Sequence, residues 1–240
     1  MKILSVVCAR AGSKGLRNKC IALIGGKMVI EYSIDYSLSL GNEVKTVVST
    51  DIPEILDICR KRSIVYIERD GSLCSDGCTI DHVLVDAIER EGRECSYCSV
   101  VYGNVPTRYP QIFREALDFL ESNRDFDAAI SMQNVEKFNP GWMFDYDSSV
   151  LPRKLSVGSR RQDLPQLMIH DAHTLLFRSD LFYGRYKGSI SYESKYMYSI
   201  YGSRIKPVIN NKFIIDIDTE KDIKYARLLF NAESRNKESL

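Results

Sequence analysis

The chain has 240 residues, 44% of them hydrophobic and 27% charged, enough to bury a full core as one large domain without staples. Thirty-three Lys+Arg against 32 Asp+Glu leave a formal net charge of +1, which excludes a global pull towards nucleic acid or a membrane surface, so any anion site must be local. Seven cysteines, an odd number, fit reduced thiols better than a disulfide framework.

The first predicted element is a short β-branched strand, Lys2 to Cys8, of the kind buried on both faces. It is too short to span a bilayer and runs into a basic loop instead of a small-residue cleavage site, so no signal peptide and a cytoplasmic location are expected. The loop reads Ala9-Arg10-Ala-Gly12-Ser13-Lys14-Gly15-Leu-Arg17-Asn18-Lys19. Its glycines let backbone N–H groups approach phosphate oxygens, while Arg10, Lys14, Arg17 and Lys19 spread positive charge over a polyphosphate. It is neither the P-loop nor the dinucleotide fingerprint, and by composition alone it also reads as a solvated basic turn.

Helical spacing of Ile30, Ile34 and Leu38 predicts a helix over 29–40, and Val44 to Val48 returns as a strand. Asp51-Ile-Pro53-Glu54 has the form of a helix start with Asp51 as its N-cap. Ile64 to Ile67 is the next strand, followed by Arg69. Cys74-Ser75-Asp76 and Thr79 then precede a helix whose core face is Ile80, Val83, Leu84, Ala87 and Ile88. Thr79 also suits a helix cap and Arg69 a surface ion pair. The spacing of Cys74, Cys78, Cys95 and Cys98 is close to a four-thiolate zinc ribbon. Against zinc, Cys98 opens an apolar run and the segment between the pairs reads as a helix.

Ser96 to Tyr102 predicts a fourth strand. The polar turn Gly103-Asn104-Val-Pro106-Thr107-Arg108 leads from it into a helix over 110–120. This places Asn104 and Thr107 at the carboxyl edge of a parallel sheet, where ligands of open α/β sheets bind. Asp127 to Met132 predicts a fifth strand. From about 134 to 165 the alternation breaks into an inserted arm within a single domain spanning 1–240, ending in Arg160-Arg161-Gln162-Asp163-Leu164-Pro165. Leu167 to Phe177 follows as a strand with a break at His170-Asp171-Ala172-His173. His170 and His173 make a poor metal pair there, because strand residues three apart face opposite sides.

Lys212 to Asp218 reads as a strand leading into a last helix from Thr219 to about Phe230, with a polar, frayed tail beyond. Residues two apart share a face, so Asp216 and Asp218 point together. Two convergent carboxylates suit Mg²⁺, which takes one or two protein carboxylates and completes its octahedron with water and phosphate oxygens. Asp218 also suits a helix cap, whereas burying Asp216 unpaired in the apolar run would be costly.

Several of these motifs resemble one family. Arg10-x-Gly-Ser-Lys-Gly-Leu-x-x-Lys19, Ser49-Thr-Asp51, Pro106-Thr107, the Arg160 to Pro165 run and Asp216-x-Asp218 are similar to signatures of the acylneuraminate (sialic acid-type) cytidylyltransferases. Relatives in that family act on pseudaminic, legionaminic and 3-deoxy-octulosonic acids and are CMP-sugar acid synthetases. The resemblance implies an α/β, Rossmann-like nucleotidyltransferase fold, with a mostly parallel central sheet flanked by helices and an inserted dimerisation arm. It implies CTP-dependent transfer of CMP to a 2-keto-3-deoxy sugar acid, with Mg²⁺ on Asp216 and Asp218. Arg10, Ser13, Lys14 and Lys19 would meet the triphosphate and Arg69, Ser75 and Thr79 the nucleoside. Asn104, Thr107, Arg161, Gln162 and Asp171 would meet the sugar acid, and Asp216, Asp218, Lys14 and Arg10 would carry the catalysis. A homodimer whose arm reaches the partner's site is implied as well.

The chain departs from the family pattern at Arg17 (usually proline), Cys20 (usually asparagine), Ile52 (often an acid) and Asn104 (glutamine). Asp171-Ala172-His173 stands where Asn-Gly-Ala is usual. The sugar is therefore unnamed by the sequence, and transfer of another nucleotide, or to a sugar phosphate, stays open. A non-catalytic nucleotide-binding homologue and a cysteine-ribbon protein are the remaining alternatives.

Overall fold

The computed structural model describes residues 2–12, 15–135, 138–140, 143–145, 153–154, 160, 162, 164–188 and 200–238. In chain order, β1 (Ile3–Cys8) is followed by a hairpin of β2 (Leu23–Ile24) and β3 (Lys27–Met28), then α1 (Val29–Ser39), β4 (Val44–Thr50), α2 (Pro53–Lys61) and β5 (Tyr66–Glu68). Next come α3 (Ile80–Ala87), β6 (Tyr97–Tyr102), α4 (Pro110–Ser122), β7 (Ala128–Asn134), β8 (Phe144–Asp145) and β9 (Arg153–Lys154). The order closes with β10 (Met168–Arg178), α5 (Ser179–Tyr186), β11 (Ile205–Ile209) and α6 (Glu220–Glu238).

A seven-stranded sheet runs β11-β7-β10-β6-β1-β4-β5, and every neighbouring pair is parallel except the two that β10 makes. The expected mostly parallel α/β architecture is what the chain adopts. β1 is the central strand because all six of its residues are apolar or small enough to be buried on both faces. Ile30 and Ile34 of α1, Ile55 of α2 and Phe113 and Leu120 of α4 cover one face of the sheet. Val83 and Leu84 of α3 and Phe182 of α5 cover the other. Each such side chain contributes about 1.5–3 kcal/mol by leaving water. The register pairs Cys8 with both Ser49 and Tyr102, so β1, β4 and β6 end level at one edge. Gly103 lets that edge close: a Cβ there would lie 2.3 Å from Ile30 Cδ1 and 2.9 Å from the Cys8 carbonyl oxygen.

Four local expectations change. The edge strand is β11, in the run Ile205-Lys-Pro207-Val-Ile209, which the sequence reading passed over; a proline that would break a central ladder is tolerated at an edge. Residues 212–218 are extended but belong to no strand. Two of their N–H groups go to the loop after β6, Ile215 N donating to Thr107 Oγ1 at 2.8 Å and Ile217 N to the Asn104 carbonyl at 3.0 Å. The N-cap of α2 is Ile52, not Asp51, and Pro53 opens the helix. α6 continues to Glu238, past the predicted end near Phe230. Within the expected arm, β8 and β9 pair antiparallel, Phe144 with Lys154 and Asp145 with Arg153.

β10 changes register between His170 and Leu175, and Ala172 in that bulge has φ +58°. The left-handed region costs an L-residue about 1–2 kcal/mol, partly offset by the greater chain entropy that glycine loses on folding. Ala172→Gly is therefore expected to raise the stability read from urea unfolding by about 0.5–1 kcal/mol, and a destabilised variant would mean that the methyl group packs usefully.

Candidate active site

The carboxyl edge of β1, β4 and β6 gathers most of the described residues singled out by sequence. β1 delivers Ala9 and Arg10, and the Ala11 N–H donates to Asp51 Oδ1 at 2.8 Å, so Asp51 buttresses the basic loop instead of capping α2. The Arg10 guanidinium donates to the carbonyls of Cys74 (3.2 Å) and Ser75 (3.1 Å) and to Asp76 Oδ1 (3.1 Å), tying this loop to the one after β5. Asn18, with φ +58°, turns the chain into a single helical turn over Lys19–Ile21. Ser13 and Lys14 lie outside the described residues, as does Arg161.

A cavity of about 250 Å³ opens here, with Arg10, Lys19, Arg69, Thr79, Tyr102 and Asn104 among its walls. Arg69 is buried rather than paired at the surface: Nε donates to Ser49 Oγ and NH2 to the Ser49 carbonyl, both at 2.9 Å. Thr79 precedes α3, but its hydroxyl meets His82 Nδ1 at 2.8 Å and does not cap the helix. Ser75 is not among the cavity walls; its hydroxyl donates to the Ser72 carbonyl at 3.2 Å. Cys20 sits in the wall as a protonated thiol, pushed up to about 12 mainly by burial.

The segment 212–218 presents the two acids. Ile215 and Ile217 are buried against Ile24 and Val29 of the hairpin and α1 and against Ile223 and Ala226 of α6, while Asp216 and Asp218 between and after them are exposed. The alternation expected of a strand thus survives without a ladder. Asn104 holds this segment from the opposite side: Nδ2 donates to Asp216 Oδ1 at 2.5 Å and to the Ile217 carbonyl at 3.2 Å. Lys19 Nζ pairs with Asp218 Oδ1 at 2.5 Å. Asp218 does not cap α6, because Asp222 Oδ2 accepts from the N–H groups of Asp218 and Thr219 at 3.1 and 2.8 Å. Partial desolvation of the Asp216 carboxyl by its neighbours, and then the Asp218 charge, raise it to about 6, against the pull of Lys19 and Arg108.

These two carboxylates fit a hard divalent cation. They are oxygen donors, close enough for one to perturb the other, and they stand beside a basic loop that can deliver phosphate oxygens. Among the described residues, no group of three or more His, Cys, Asp and Glu is arranged to hold a metal. The four-thiolate reading fails on geometry. Cys78 lines the cavity at the carboxyl edge, whereas Cys95 lies near Lys45 and Gly92 before β6 begins, and Cys98 is buried within β6.

Thr107 and Asp171 are used inside the fold. Thr107 is buried and gives its hydroxyl oxygen to the Ile215 N–H. Losing that acceptor costs about 1–3 kcal/mol, so Thr107→Val is expected to destabilise the protein by that amount in thermal unfolding, while Thr107→Ser keeps wild-type stability to within about 1 kcal/mol. Equal loss in both variants would instead assign the effect to the methyl group. Asp171 Oδ1 accepts from Ser131 Oγ at 2.5 Å and from the His173 N–H at 3.0 Å, and Oδ2 accepts from Asn210 Nδ2 at 2.5 Å. His173 has both nitrogens engaged, Nε2 accepting from the Tyr109 N–H and Nδ1 facing the Thr174 hydroxyl, each at 2.7 Å. Burial and then Arg108 push its imidazole down to about 3, so it is neutral. Gln162 is exposed.

Sequence reasoning gave no role to Arg108. Its guanidinium donates to the carbonyls of Val105 (2.9 Å), Tyr102 (2.6 Å) and His173, welding the loop after β6 to the β10 bulge. A larger cleft, about 580 Å³, lies between α1 and α4. Its cations are committed, Lys27 to Asp35 and Arg108 to those carbonyls, and among the described residues Thr107 is the one predicted for the site that borders it. The residues singled out by sequence therefore gather at the smaller cavity.

The family profile described as "Cytidylyltransferase" matches residues 4–236. An N-acylneuraminate cytidylyltransferase of Streptococcus agalactiae is 27% identical over 248 residues, covering 100% of this chain and 56% of that protein. The chain thus spans about half the length of that relative. A pseudaminic acid cytidylyltransferase of Campylobacter jejuni is 27% identical over 243 residues, covering 96% of this chain and 97% of the relative. In fold, the chain is similar to a CMP:2-keto-3-deoxy-manno-octonic acid synthetase solved with CTP, at a TM-score of 0.72 and 17% identity, over 97% of this chain and 100% of that one. With the profile covering nearly all of its length, the chain belongs to the cytidylyltransferase family.

Proposed function

We propose that this chain transfers CMP from CTP to the anomeric hydroxyl of a 2-keto-3-deoxy sugar acid, releasing pyrophosphate. The observation that carries the reading is the Asp216/Asp218 pair, held out from buried isoleucines beside Lys19 at a cavity edged by Arg10, Arg69 and Asn104. Family membership and relatives named for N-acylneuraminate and pseudaminic acid support it.

In this reading Arg10, Lys14 and Lys19 hold the β- and γ-phosphates, and Arg69 and Thr79 face the nucleoside. The acceptor hydroxyl attacks the α-phosphate in line, and pyrophosphate leaves with charge that the basic loop already neutralises. Catalysis is then mainly positioning and electrostatic stabilisation. Mg²⁺ held by Asp216 and Asp218 would supply further neutralisation at the α-phosphate. Asn104 fixes the Asp216 carboxylate from one side, and Lys19 exchanges Asp218 for phosphate as nucleotide enters.

The test is pyrophosphate release with each of the four nucleotides against a panel of ulosonic acids and sugar phosphates. CTP with a nine-carbon acid is the expected best pair; a sugar 1-phosphate with GTP or UTP winning would overturn the cytidylyl assignment. A cytoplasmic homodimer, with the arm of one chain at its partner's site, belongs to the same reading. It requires a two-chain mass in sedimentation and recovery of the protein in the soluble cell fraction.

A pH dependence follows from Asp216. Its carboxyl titrates near 6, so below that pH a proton occupies the group proposed to bind the cation. At limiting Mg²⁺, turnover is expected to fall as pH drops through about 6, and more Mg²⁺ should move this limb to lower pH. A limb indifferent to Mg²⁺ would remove Asp216 from the ligand set.

A further inference from the structure

The larger cleft, between α1 and α4, is walled by rings and by one unbalanced charge. Helical spacing sets Tyr32, Tyr36 and Ser39 on one face of α1, and the turn Pro106 to Pro110 lies across from them. Phe230 of α6 joins Tyr32, with ring centroids 4.6 Å apart. At about 580 Å³ the cleft falls within the range of about 300–1,000 Å³ that small-molecule sites occupy. The wall hydroxyls are already engaged. Tyr32 donates to the Ile24 carbonyl at 2.9 Å, Tyr109 to the Phe213 carbonyl at 3.2 Å and Ser39 to the Tyr36 carbonyl at 2.7 Å. Ring surface is what these residues present to a ligand.

Arg108 supplies the charge. Its guanidinium lies 5.4 Å from the Tyr36 ring centre, and its bonds go to the neutral main-chain carbonyls of Val105, Tyr102, Ala172 and His173. Asp171 and Asp216 act on it only from further off, because their carboxylates are bonded to Ser131, His173 and Asn210 and to Asn104 respectively. Burial therefore pulls the guanidinium down to about 10. The acid in the cleft wall, Asp35, is divided between Lys27 at 2.8 Å and Arg62 at 2.6 Å. Three cations thus meet one carboxylate here, and a buried charge without a counter-ion is costly. An anion entering the cleft relieves that cost.

We propose that the cleft between α1 and α4 is an effector site for an aromatic anion, its rings packed on Tyr32, Tyr36 and Phe230 and its single anionic group at Arg108. Occupancy reaches the acid segment through the shared turn. Thr107 Oγ1 accepts from the Ile215 N–H, and Asn104 Nδ2 donates to Asp216. An anion that draws Arg108 away from the Val105 and Tyr102 carbonyls loosens this turn, and Asp216 loses its fixed position. The binding stands independently of the cytidylyltransferase reading, whereas the effect on turnover rests on it.

The probe is 8-anilinonaphthalene-1-sulfonate, which carries aromatic rings and one sulfonate, set against N-phenyl-1-naphthylamine, the same rings without the charge. Both are titrated by fluorescence into the full chain, with and without CTP. One sulfonate probe per chain is expected, bound about tenfold or more tighter than the amine and undisturbed by CTP. Ser39→Trp places a ring at an exposed position of the cleft wall, outside the proposed catalytic machinery. It should weaken the sulfonate about tenfold or more and leave basal kcat and KM unchanged. Arg108→Met should bring the two probes level, and the comparison of probes on wild type decides the charge requirement whether or not that variant folds. In pyrophosphate release the sulfonate is expected to lower kcat about fivefold or more without changing the KM for CTP, and Ser39→Trp to abolish the effect. Displacement of the probe by CTP, equal affinity for the two probes, or unchanged binding in Ser39→Trp would overturn the site. Saturating probe with undiminished kcat would overturn the effector role alone. Absence of pyrophosphate release by wild type would overturn that role together with the reaction assignment, while the binding result would remain.

Discussion

Asp216→Asn is expected to lower Mg²⁺-dependent turnover by on the order of 10²-fold or more, a loss comparable to removing one charge-stabilising group from an active site. The substitution keeps the side chain's size and one carbonyl oxygen, so Asn104 Nδ2 retains an acceptor and the segment keeps its backbone bonds to Asn104 and Thr107. Ile215 and Ile217 still anchor it. The fold should therefore survive, with no drop in thermal midpoint, because a crowded carboxylate raised to about 6 is replaced by a neutral amide. Nucleotide affinity measured without metal should be unchanged or improved, since a charge that repels phosphate is gone. Full activity with an unaltered Mg²⁺ requirement would end the metal-ligand reading and leave Asp216 as a hydrogen-bond partner of Asn104.

Much of the architecture was legible because its signals are local. The buried run of β1 and the apolar spacing of α1, α3 and α4 are periodicities that a single sequence displays. The Asp-x-Asp pattern was also readable, but alternation reports which side chains are buried, not what the backbone pairs with. Ile215 and Ile217 alternate with the acids just as strand residues would, and their N–H groups are instead met by Thr107 and Asn104, more than a hundred residues earlier. Asp51 failed for the same reason. Beside Pro53 it looks like a helix cap, and nothing nearby in sequence announces Ala11 as its partner. Pro207 hid β11, since the rule that excludes proline from ladders does not know which strand is at the edge. The case against a zinc ribbon held, since Cys78 lines the cavity at the carboxyl edge while Cys95 and Cys98 lie before and within β6.

Gly15→Ala is expected to reduce kcat/KM for CTP by about 10²-fold while leaving global stability almost unchanged. A Cβ at Gly15 would lie 2.9 Å from the Asp218 carbonyl oxygen. That atom cannot swing aside as the end of a flexible side chain would; Asp218 follows the buried Ile217 and its N–H is held by Asp222. The exposed loop is the softer partner, so it must retreat, carrying the basic residues on either side of Gly15 away from the acid pair. Displacing a positioning element by about 1 Å costs on the order of 10²-fold when catalysis depends on alignment. Little apolar surface is involved, so the unfolding midpoint should move within about 0.5 kcal/mol of wild type. Wild-type kinetics in Gly15→Ala would show that the basic loop acts without touching the acid segment, and the coupling of phosphate loop to carboxylates would have to be given up.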